Sequence, residues 1–242
     1  MPSSKPSSLT AETYAHLRAE ILACRLRPGT KLVISDLCKK FGFGLGAVRE
    51  ALSRLASEGL VIAEPHKGFS VTPVTQDELE DVTRVRVTIE TLCLENAIAN
   101  GDLRWETGIV SSLFELSRIE LHDDKDPGRV SEDWARAHER FHAALVAACD
   151  SPTLLRIREL LYAQSERYRR FSVPLDTEKR DLGAEHRAIA DAAIARDSKR
   201  ASAELRAHLE KTTRILLVSG VGAKPRQSPA KGTGPAAADP VR

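Results

Sequence analysis

Residues 44–70, GLGAVREALSRLASEGLVIAEPHKGFS, decide the fold of the N-terminal part of the chain. Apolar side chains recur here at helical spacing and predict an amphipathic helix: Val48, Leu52, Leu55 and Leu60. Gly59 is expected to end the helix, because glycine adopts the left-handed conformation at little cost. Two strand-like segments, residues 60–63 and 69–74, flank a turn at residues 65–68. Since a helix fits the major groove of DNA and a basic wing tip reaches a neighbouring groove, the stretch predicts a recognition helix and a β wing.

The sequence on either side predicts a mostly α fold in two parts. Helices expected at about residues 10–23 and 35–41 complete a winged helix-turn-helix with the recognition helix and hairpin. After a linker at residues 74–76 we expect an all-α bundle of six helices, at about residues 77–100, 105–122, 129–149, 151–172, 178–196 and 198–218. The predicted plan is a disordered N-terminus at 1–8, a DNA-binding domain at 9–75, a ligand- and metal-binding helical domain at 76–218 and a disordered tail at 219–242.

The composition argues against a membrane protein and a secreted disulfide-rich protein. No apolar run approaches the roughly 20 residues that a membrane-spanning helix needs, and the polar residues 1–8 predict no secretory signal. The four cysteines are far apart in sequence, which indicates reduced thiols in a cytoplasmic protein: Cys24, Cys38, Cys93 and Cys149. Residues 1–75 hold ten lysines and arginines against six acidic residues, while the whole chain has a net charge of only +2. This surplus suits a module that binds DNA.

Arg49 is the strongest candidate for reading a base. It lies off the apolar stripe of the recognition helix, and its guanidinium can donate twice to guanine. The alternative is a solvated arginine or an ion pair with Glu50 or Glu58. Arg54 and Lys67 are expected to contact phosphates, which position a protein on DNA without reading its sequence. Further candidates for DNA contact lie at or just before the start of the second helix and at the wing tip: Thr30, Lys31, Ser35 and Gly68.

Four of the seven histidines form a candidate metal site. His138 and His142 are four residues apart and share one face of a predicted helix. His186 and His208 belong to two later helices and also have apolar neighbours in sequence. Neutral imidazoles bind divalent transition metals, with Zn²⁺ favoured and Ni²⁺, Co²⁺ and Cu²⁺ as alternatives. The competing interpretation is a set of hydrogen-bonded buried histidines or surface residues.

Arginines near the start of the helical region are candidates for holding an anionic ligand. Arg84 and Arg86 lie in the first predicted helix of the bundle, and Glu90 follows Arg86 by one turn. An arginine that faces a bundle interior needs an anionic partner, which is either Glu90 or a ligand carboxylate. The run 167–170, Arg-Tyr-Arg-Arg, is interpreted as packing or as a solvated basic face.

From about residue 9 to 218, the chain resembles GntR-family transcriptional regulators of the FadR type with an FCD effector domain. The family helix Ser-Arg-Thr-Pro-Val-Arg-Glu-Ala-Leu aligns with residues 44–52. The matches that carry the resemblance are at residues 48–52, 54–55, 58–61 and 68–69. The arginine usual at the second motif position is Leu45 here, so one expected base or phosphate contact is missing. Residues 45–49, 86–90 with Glu95, 101–102 and 105–106 are similar to the carbon-starvation repressors that sense glutarate.

The resemblance implies a metal bound by an aspartate and three histidines of a six-helix domain. His142, His186 and His208 match the histidine positions, and His138 stands where the family pattern has the aspartate. A fourth neutral ligand in place of a carboxylate leaves such a site more positive. That difference favours an anionic effector.

The function expected is that of a metal-assisted, ligand-responsive transcription factor, most simply a repressor. A homodimer would place two recognition helices on a palindromic operator, and a small dicarboxylate such as glutarate is the effector that the resemblance suggests. Two alternatives stay open: a metal that is purely structural, and a metal-dependent hydrolase with an accessory DNA-binding domain. A hydrolase needs a general base on the ligand face. Glu139 and Glu185 adjoin ligands in sequence, yet neighbours on a helix point about 100° apart.

Overall fold

The computed structural model of the chain describes residues 9–176 and 180–220. Its N-terminal elements are α1 (Leu9–Leu22), β1 (Lys31–Leu32), α2 (Ile34–Phe41), α3 (Leu45–Ser57), β2 (Val61–Glu64) and β3 (Gly68–Val71). Strand β3 lies between β1 and β2 and is antiparallel to both. This order confirms the predicted winged helix-turn-helix, with α3 as its recognition helix. The predicted disordered segment at 1–8 and residues 221–242 of the predicted tail lie outside the described residues.

The apolar stripe of α3 forms the centre of the N-terminal core. Val48, Leu52 and Leu55 are fully buried, and they pack with Leu17 and Ile21 of α1. Helix α3 ends at Ser57, and the predicted left-handed glycine follows at Gly59, with φ of 74°. The buried stripe fixes which side of α3 faces outward.

The C-terminal part of the described chain contains six α-helices, as predicted. They are α4 (Gln76–Asn100), α5 (Leu103–Leu116), α6 (Glu132–Leu145), α7 (Pro152–Ser172), α8 (Leu182–Ile194) and α9 (Ser198–Val218). Side-chain oxygens that accept a backbone N–H cap the start of each: Thr75, Asp102, Ser131, Ser151, Asp181 and Asp197. The predicted α5 and α6 were too long, since residues 117–131 connect them without a helix.

The bundle core is continuous from α4 to α9. Large side chains such as Trp105, Phe141 and Ile189 are buried in it. Helix α4 packs against α7 and α9, and α8 packs against α9. Among the described helices, none combines the length and the apolar composition required to cross a membrane.

The basic run at residues 167–170 is largely buried and does not form a solvated face, which corrects that part of the interpretation. Arg167 is 0% exposed, and Tyr168 and Arg169 are also buried. The reason is that the last turns of α7 lie between the bundle and the DNA-binding domain. The Nη1 atom of Arg167 donates to the backbone oxygen of Thr72 at 2.6 Å. Helix α7 is therefore part of both the bundle and the domain interface.

Candidate metal centre and DNA interface

Three helices bring the four predicted histidines together inside the bundle. His138 and His142 come from α6, His186 from α8 and His208 from α9, and all four are buried. One ring nitrogen from each lies within 4.8 Å of the corresponding atom of every other. The i, i+4 spacing on α6 puts two rings on one face, and the crossing of α8 and α9 supplies the others.

The hydrogen bonding of these rings fits a metal ion. The Nε2 atoms of His138 and His186 and both ring nitrogens of His142 are buried without a hydrogen-bond partner among the described residues. Unpaired buried polar atoms are costly, so a cluster of them that converges on one point indicates that something else binds there. Four imidazole nitrogens suit a divalent transition metal.

The surroundings keep the imidazoles neutral, as metal ligands must be. Burial, together with the charges of neighbouring groups, lowers the pKa of His138, His142 and His186 well below the ordinary value. For His208, burial outweighs the hydrogen bond with Glu185 and lowers the pKa to about 4.

Two of the rings are oriented by a polar neighbour on their second nitrogen. The Nδ1 of His138 lies 3.2 Å from the Tyr162 hydroxyl, and the Nδ1 of His208 lies 2.9 Å from Oε2 of Glu185. Burial raises the pKa of Glu185, but hydrogen bonds from His208, Arg180 and Lys211 outweigh it and lower the pKa overall. Contacts of this kind fix the ring orientation of metal-binding histidines. They also leave Glu185 engaged, so it is not a free general base.

Arg86 is buried and shares one carboxylate with a second arginine. Its Nε and Nη2 atoms both lie 3.2 Å from Oε1 of Glu90, and Nε of Arg158 donates to Oε2 at 2.9 Å. From its position in the sequence, Arg86 has two possible partners, Glu90 or a ligand carboxylate, and the structure pairs it with Glu90. Because one carboxylate serves two guanidinium groups, the cluster keeps a positive charge beside the histidines.

A small cavity of about 20 Å³ joins the positive cluster to the histidines. Arg86, Arg169, His138 and His208 line it, together with hydroxyl groups of α4, α7 and α9. Arg84 does not line it, because its exposed side chain pairs with Asp81 on the outer face of α4. Of the two arginines predicted to hold a ligand, the structure brings only Arg86 to the cluster.

The outer side of α3 carries the predicted base-reading residue. Arg49 is exposed, and no hydrogen bond or ion pair of its side chain occurs within the described residues. The alternative pairing with Glu58 is excluded in this structure, since Glu58 accepts from the Tyr14 hydroxyl at 2.6 Å and lies near Arg18 and Arg54. Arg49 is therefore available to a partner molecule.

The other predicted DNA contacts are exposed, and two of them have intramolecular partners. Arg54 stacks over the Tyr14 ring, with its guanidinium carbon 3.7 Å from the ring centroid. Lys67 at the wing tip lies 2.6 Å from Glu64. The remaining candidates are exposed residues around α3: Thr30, Lys31, Ser35 and Gly68. Gly68 has φ of 85°, which favours glycine at this turn.

Helix α7 also connects the histidine cluster with the DNA-binding domain through a chain of contacts. Arg169 lies over the ring of Trp134, which stacks on His138 at a centroid distance of 4.7 Å. Glu166 accepts from Nε of both Arg169 and Arg170 at 2.9 Å.

The chain continues into the N-terminal domain. Arg170 donates to Glu132 at 2.7 Å, and Glu132 lies 3.3 Å from Arg25, just beyond α1. A separate contact ends at the recognition helix, where Nε2 of Gln164 donates to the backbone oxygen of Glu58 at 3.0 Å. Helix α7 therefore reaches the DNA-binding domain at the end of α3, through Gln164, and near the end of α1, through Glu132.

Sequence reasoning missed several residues around the metal centre. Arg158 and Arg180 carry charges that a single sequence places on the surface by default, yet both side chains are buried. The signal available was the high density of arginine on α7, combined with too few acidic residues on the same helix to pair with them. Glu90, the partner of Arg158, lies on α4, whereas Arg169 pairs with Glu166 of α7 itself.

Comparison with known proteins agrees with this geometry. Residues 9–71 match the family described as bacterial regulatory proteins, gntR family, and residues 81–211 match the FCD domain. The HTH-type transcriptional regulator BphR of Paraburkholderia xenovorans (strain LB400) is 36% identical over 91% of this chain and 90% of that protein. The HTH-type transcriptional repressor GlaR of Escherichia coli (strain K12) is 34% identical over 81% of this chain and 90% of that protein.

Solved structures share the fold. Escherichia coli McbR/YncC has a TM-score of 0.72 at 22% identity and covers 88% of this chain and 99% of that chain. A transcriptional regulator GntR from Rhodococcus sp. RHA1 has a TM-score of 0.70 at 21% identity, with the same coverage. Together with the winged helix and the histidine-lined bundle, the family matches show that this chain belongs to the GntR family of DNA-binding transcriptional regulators and carries a C-terminal FCD domain.

Proposed function

We propose that this regulator is a homodimeric repressor whose affinity for operator DNA is controlled by a small carboxylate bound beside a metal ion. The observation that carries the proposal is the set of buried, unpaired histidine nitrogens within 4.8 Å of one another. The repressor assignment is supported by the 34% identity to GlaR, itself a transcriptional repressor.

His138, His142, His186 and His208 would hold the metal, with Zn²⁺ as the first candidate. When bound, the ion supplies positive charge and a Lewis-acid position for a carboxylate oxygen. The chain contributes no carboxylate among these four ligands, and the resulting positive charge favours an anionic effector. Glu139 is exposed and Glu185 is held by three partners, so neither serves the hydrolase alternative as a free base at the histidine cluster.

Arg86 and Arg169 would hold the other carboxylate oxygens. Guanidinium groups bind carboxylates through paired hydrogen bonds, and both arginines border the cavity beside the histidines. A cavity of about 20 Å³ accommodates about one water molecule. A dicarboxylate of four to six carbons, such as glutarate, therefore enters only if α4, α7 and α9 move apart.

The required movement is what would carry the signal to DNA. Helix α7 lines the cavity through Ser165 and Arg169 and contacts the DNA-binding domain through Gln164 and Arg167. A ligand shifts such an equilibrium only by its differential affinity for the two arrangements. In this proposal, the carboxylate binds the arrangement with α7 displaced and thereby repositions the two α3 helices of the dimer.

Calorimetry with the purified full chain tests the proposal. The protein is stripped of metal, reloaded with Zn²⁺ and titrated with succinate, glutarate and adipate. Binding of at least one dicarboxylate to the loaded protein, and of none to the stripped protein, is expected. Zn²⁺ binding without any dicarboxylate binding would favour a purely structural metal and overturn the effector assignment.

A further inference from the structure

Leu45 is an apolar residue whose side chain is exposed on the protein surface. It is the first residue of α3 and is 59% exposed. Val48 and Leu52 of the same helix are buried in the core, whereas Leu45, one turn nearer the start of the helix, extends beyond that core. Single exposed leucines are common on protein surfaces, so exposure alone does not indicate a function. Leu45 is a candidate for contact with a partner because it lies on the recognition helix.

Leu45 shares its side of the helix with Arg49. Residues four apart on an α-helix lie one above the other, and both side chains are exposed. Arg49 has no side-chain partner within the described residues. The two residues therefore present one apolar group and one bidentate donor to the same surface of a partner molecule.

The residues on either side of Leu45 have no side chain, and the fold does not require this. Gly44 and Gly46 have negative φ, and a Cβ on either would meet nothing within 4 Å. Gly42 and Gly59, in contrast, have φ of 74°, which explains the glycine there. Gly44 is the N-cap of α3, a position that glycine favours, whereas Gly46 lies inside the helix, where glycine is destabilising relative to alanine. The absence of side chains at 44 and 46 lets a large partner approach the start of α3 closely, with Leu45 as the one side chain between the two glycines.

We propose that Leu45 contacts the C5-methyl group of a thymine and so selects an A·T pair in each operator half-site. This inference rests on the proposed docking of α3 in the major groove. There, thymine presents an apolar methyl group on its edge, whereas guanine presents acceptors that leucine cannot satisfy. The family motif has an arginine at this position, so the chain reads a different base there from relatives that keep it.

The test isolates the methyl group. DNA duplexes that bind the wild-type full chain are selected from a random pool, and each thymine of the best duplex is replaced singly by deoxyuridine, which lacks only that methyl. One replacement per half-site is expected to weaken wild-type binding about fourfold, the effect of one buried methyl group. The variant Leu45→Ala is expected to bind the thymine and deoxyuridine duplexes equally at that position.

Two further variants define the outcome. Leu103→Ala, which removes a leucine 77% exposed on α5, should keep the wild-type response to deoxyuridine, while Leu45→Arg should select guanine at the same position. If every replacement affects the wild type and Leu45→Ala alike, the inference is wrong although DNA binding stands. If the wild type selects no duplex at all, the proposed function fails together with it.

Discussion

Arg167 of the FCD domain and Thr72 of the DNA-binding domain are joined by a hydrogen bond of 2.6 Å, from Nη1 of the guanidinium to the backbone oxygen. The arginine is completely buried, and the nearest carboxylate oxygen, on Glu78, is 3.9 Å away. Its Nε and Nη2 atoms have no hydrogen-bond partner among the described residues. Because an unpaired buried charge is unfavourable, the hydrogen bond to Thr72 is a main contact that keeps Arg167 paired at the domain interface.

Replacing Arg167 by alanine is expected to loosen the domain interface. The substitution removes a charge-assisted hydrogen bond and the packing of a buried stem, so the free energy of unfolding should fall by about 1–3 kcal/mol. Amide hydrogen exchange should increase at residues 58–72. The matched control is Arg156→Ala, on the exposed face of the same helix, which should change stability by less than about 0.5 kcal/mol. Equal effects of both substitutions would contradict a specific role of Arg167.

Glu90→Gln should be among the most destabilising substitutions in the bundle. It leaves the buried guanidinium groups of Arg86 and Arg158 without a negative partner, and breaking a buried ion pair costs about 3–5 kcal/mol. Urea unfolding measures the loss, with Glu159→Gln, an exposed position on α7, as control. Metal content should not change, since Glu90 contacts none of the four histidines. An unaltered urea midpoint would show that the arginine pair needs no counter-charge.

Loss of two histidine ligands should abolish metal binding. Wild-type protein purified without chelators is expected to carry about one divalent metal per chain, and His142→Ala combined with His186→Ala should carry none. His122→Ala, an exposed histidine outside the cluster, should retain it. Metal at 100 times its dissociation constant stabilises the native state by about 2.7 kcal/mol, which raises the melting temperature. Elemental analysis that finds equal metal in all three proteins would place the ion elsewhere.

Much of the fold follows from apolar periodicity, as α3 illustrates. Its stripe at Val48, Leu52 and Leu55 is fully buried, and the left-handed Gly59 follows the helix as expected. The grouping of the four histidines was foreseen from the i, i+4 pair on α6 and from the family pattern. The signal for α3 is local in the sequence. The signal for the histidines combines a local pair with the resemblance to a known family.

Only part of the charged network around α7 could be foreseen. Arg169 and Arg170 meet Glu166 within about one helical turn, but other pairs are formed between distant segments. Arg158 meets Glu90 across 68 positions of the sequence, and Arg170 meets Glu132 across 38. Nothing near Arg158 in sequence indicates that it is buried. Arg54 shows the same limit in the DNA-binding domain, since its stacking on Tyr14 depends on how α1 packs against α3.

Arg49→Ala should abolish specific DNA binding without unfolding the protein. A bidentate contact with guanine contributes about 1–3 kcal/mol of discrimination, and the proposed homodimer would lose it twice. Gel shifts with a selected duplex measure the affinity, and circular dichroism checks the fold. The control is Arg187→Ala, which removes an exposed arginine of α8. It lowers the net charge by the same amount as Arg49→Ala and should bind DNA normally. Unchanged affinity of the Arg49 variant would remove α3 from the proposed interface.

The most direct test of the account is the affinity for one selected duplex, measured by fluorescence anisotropy at fixed salt in four states: with and without Zn²⁺, and with and without a dicarboxylate that calorimetry has identified. The account predicts that the dicarboxylate weakens DNA binding of the Zn²⁺-loaded protein by about 5- to 150-fold, the usual range of coupling between two sites. It predicts no effect on the metal-free protein. A DNA affinity that is the same with and without the dicarboxylate in the Zn²⁺-loaded protein would contradict it.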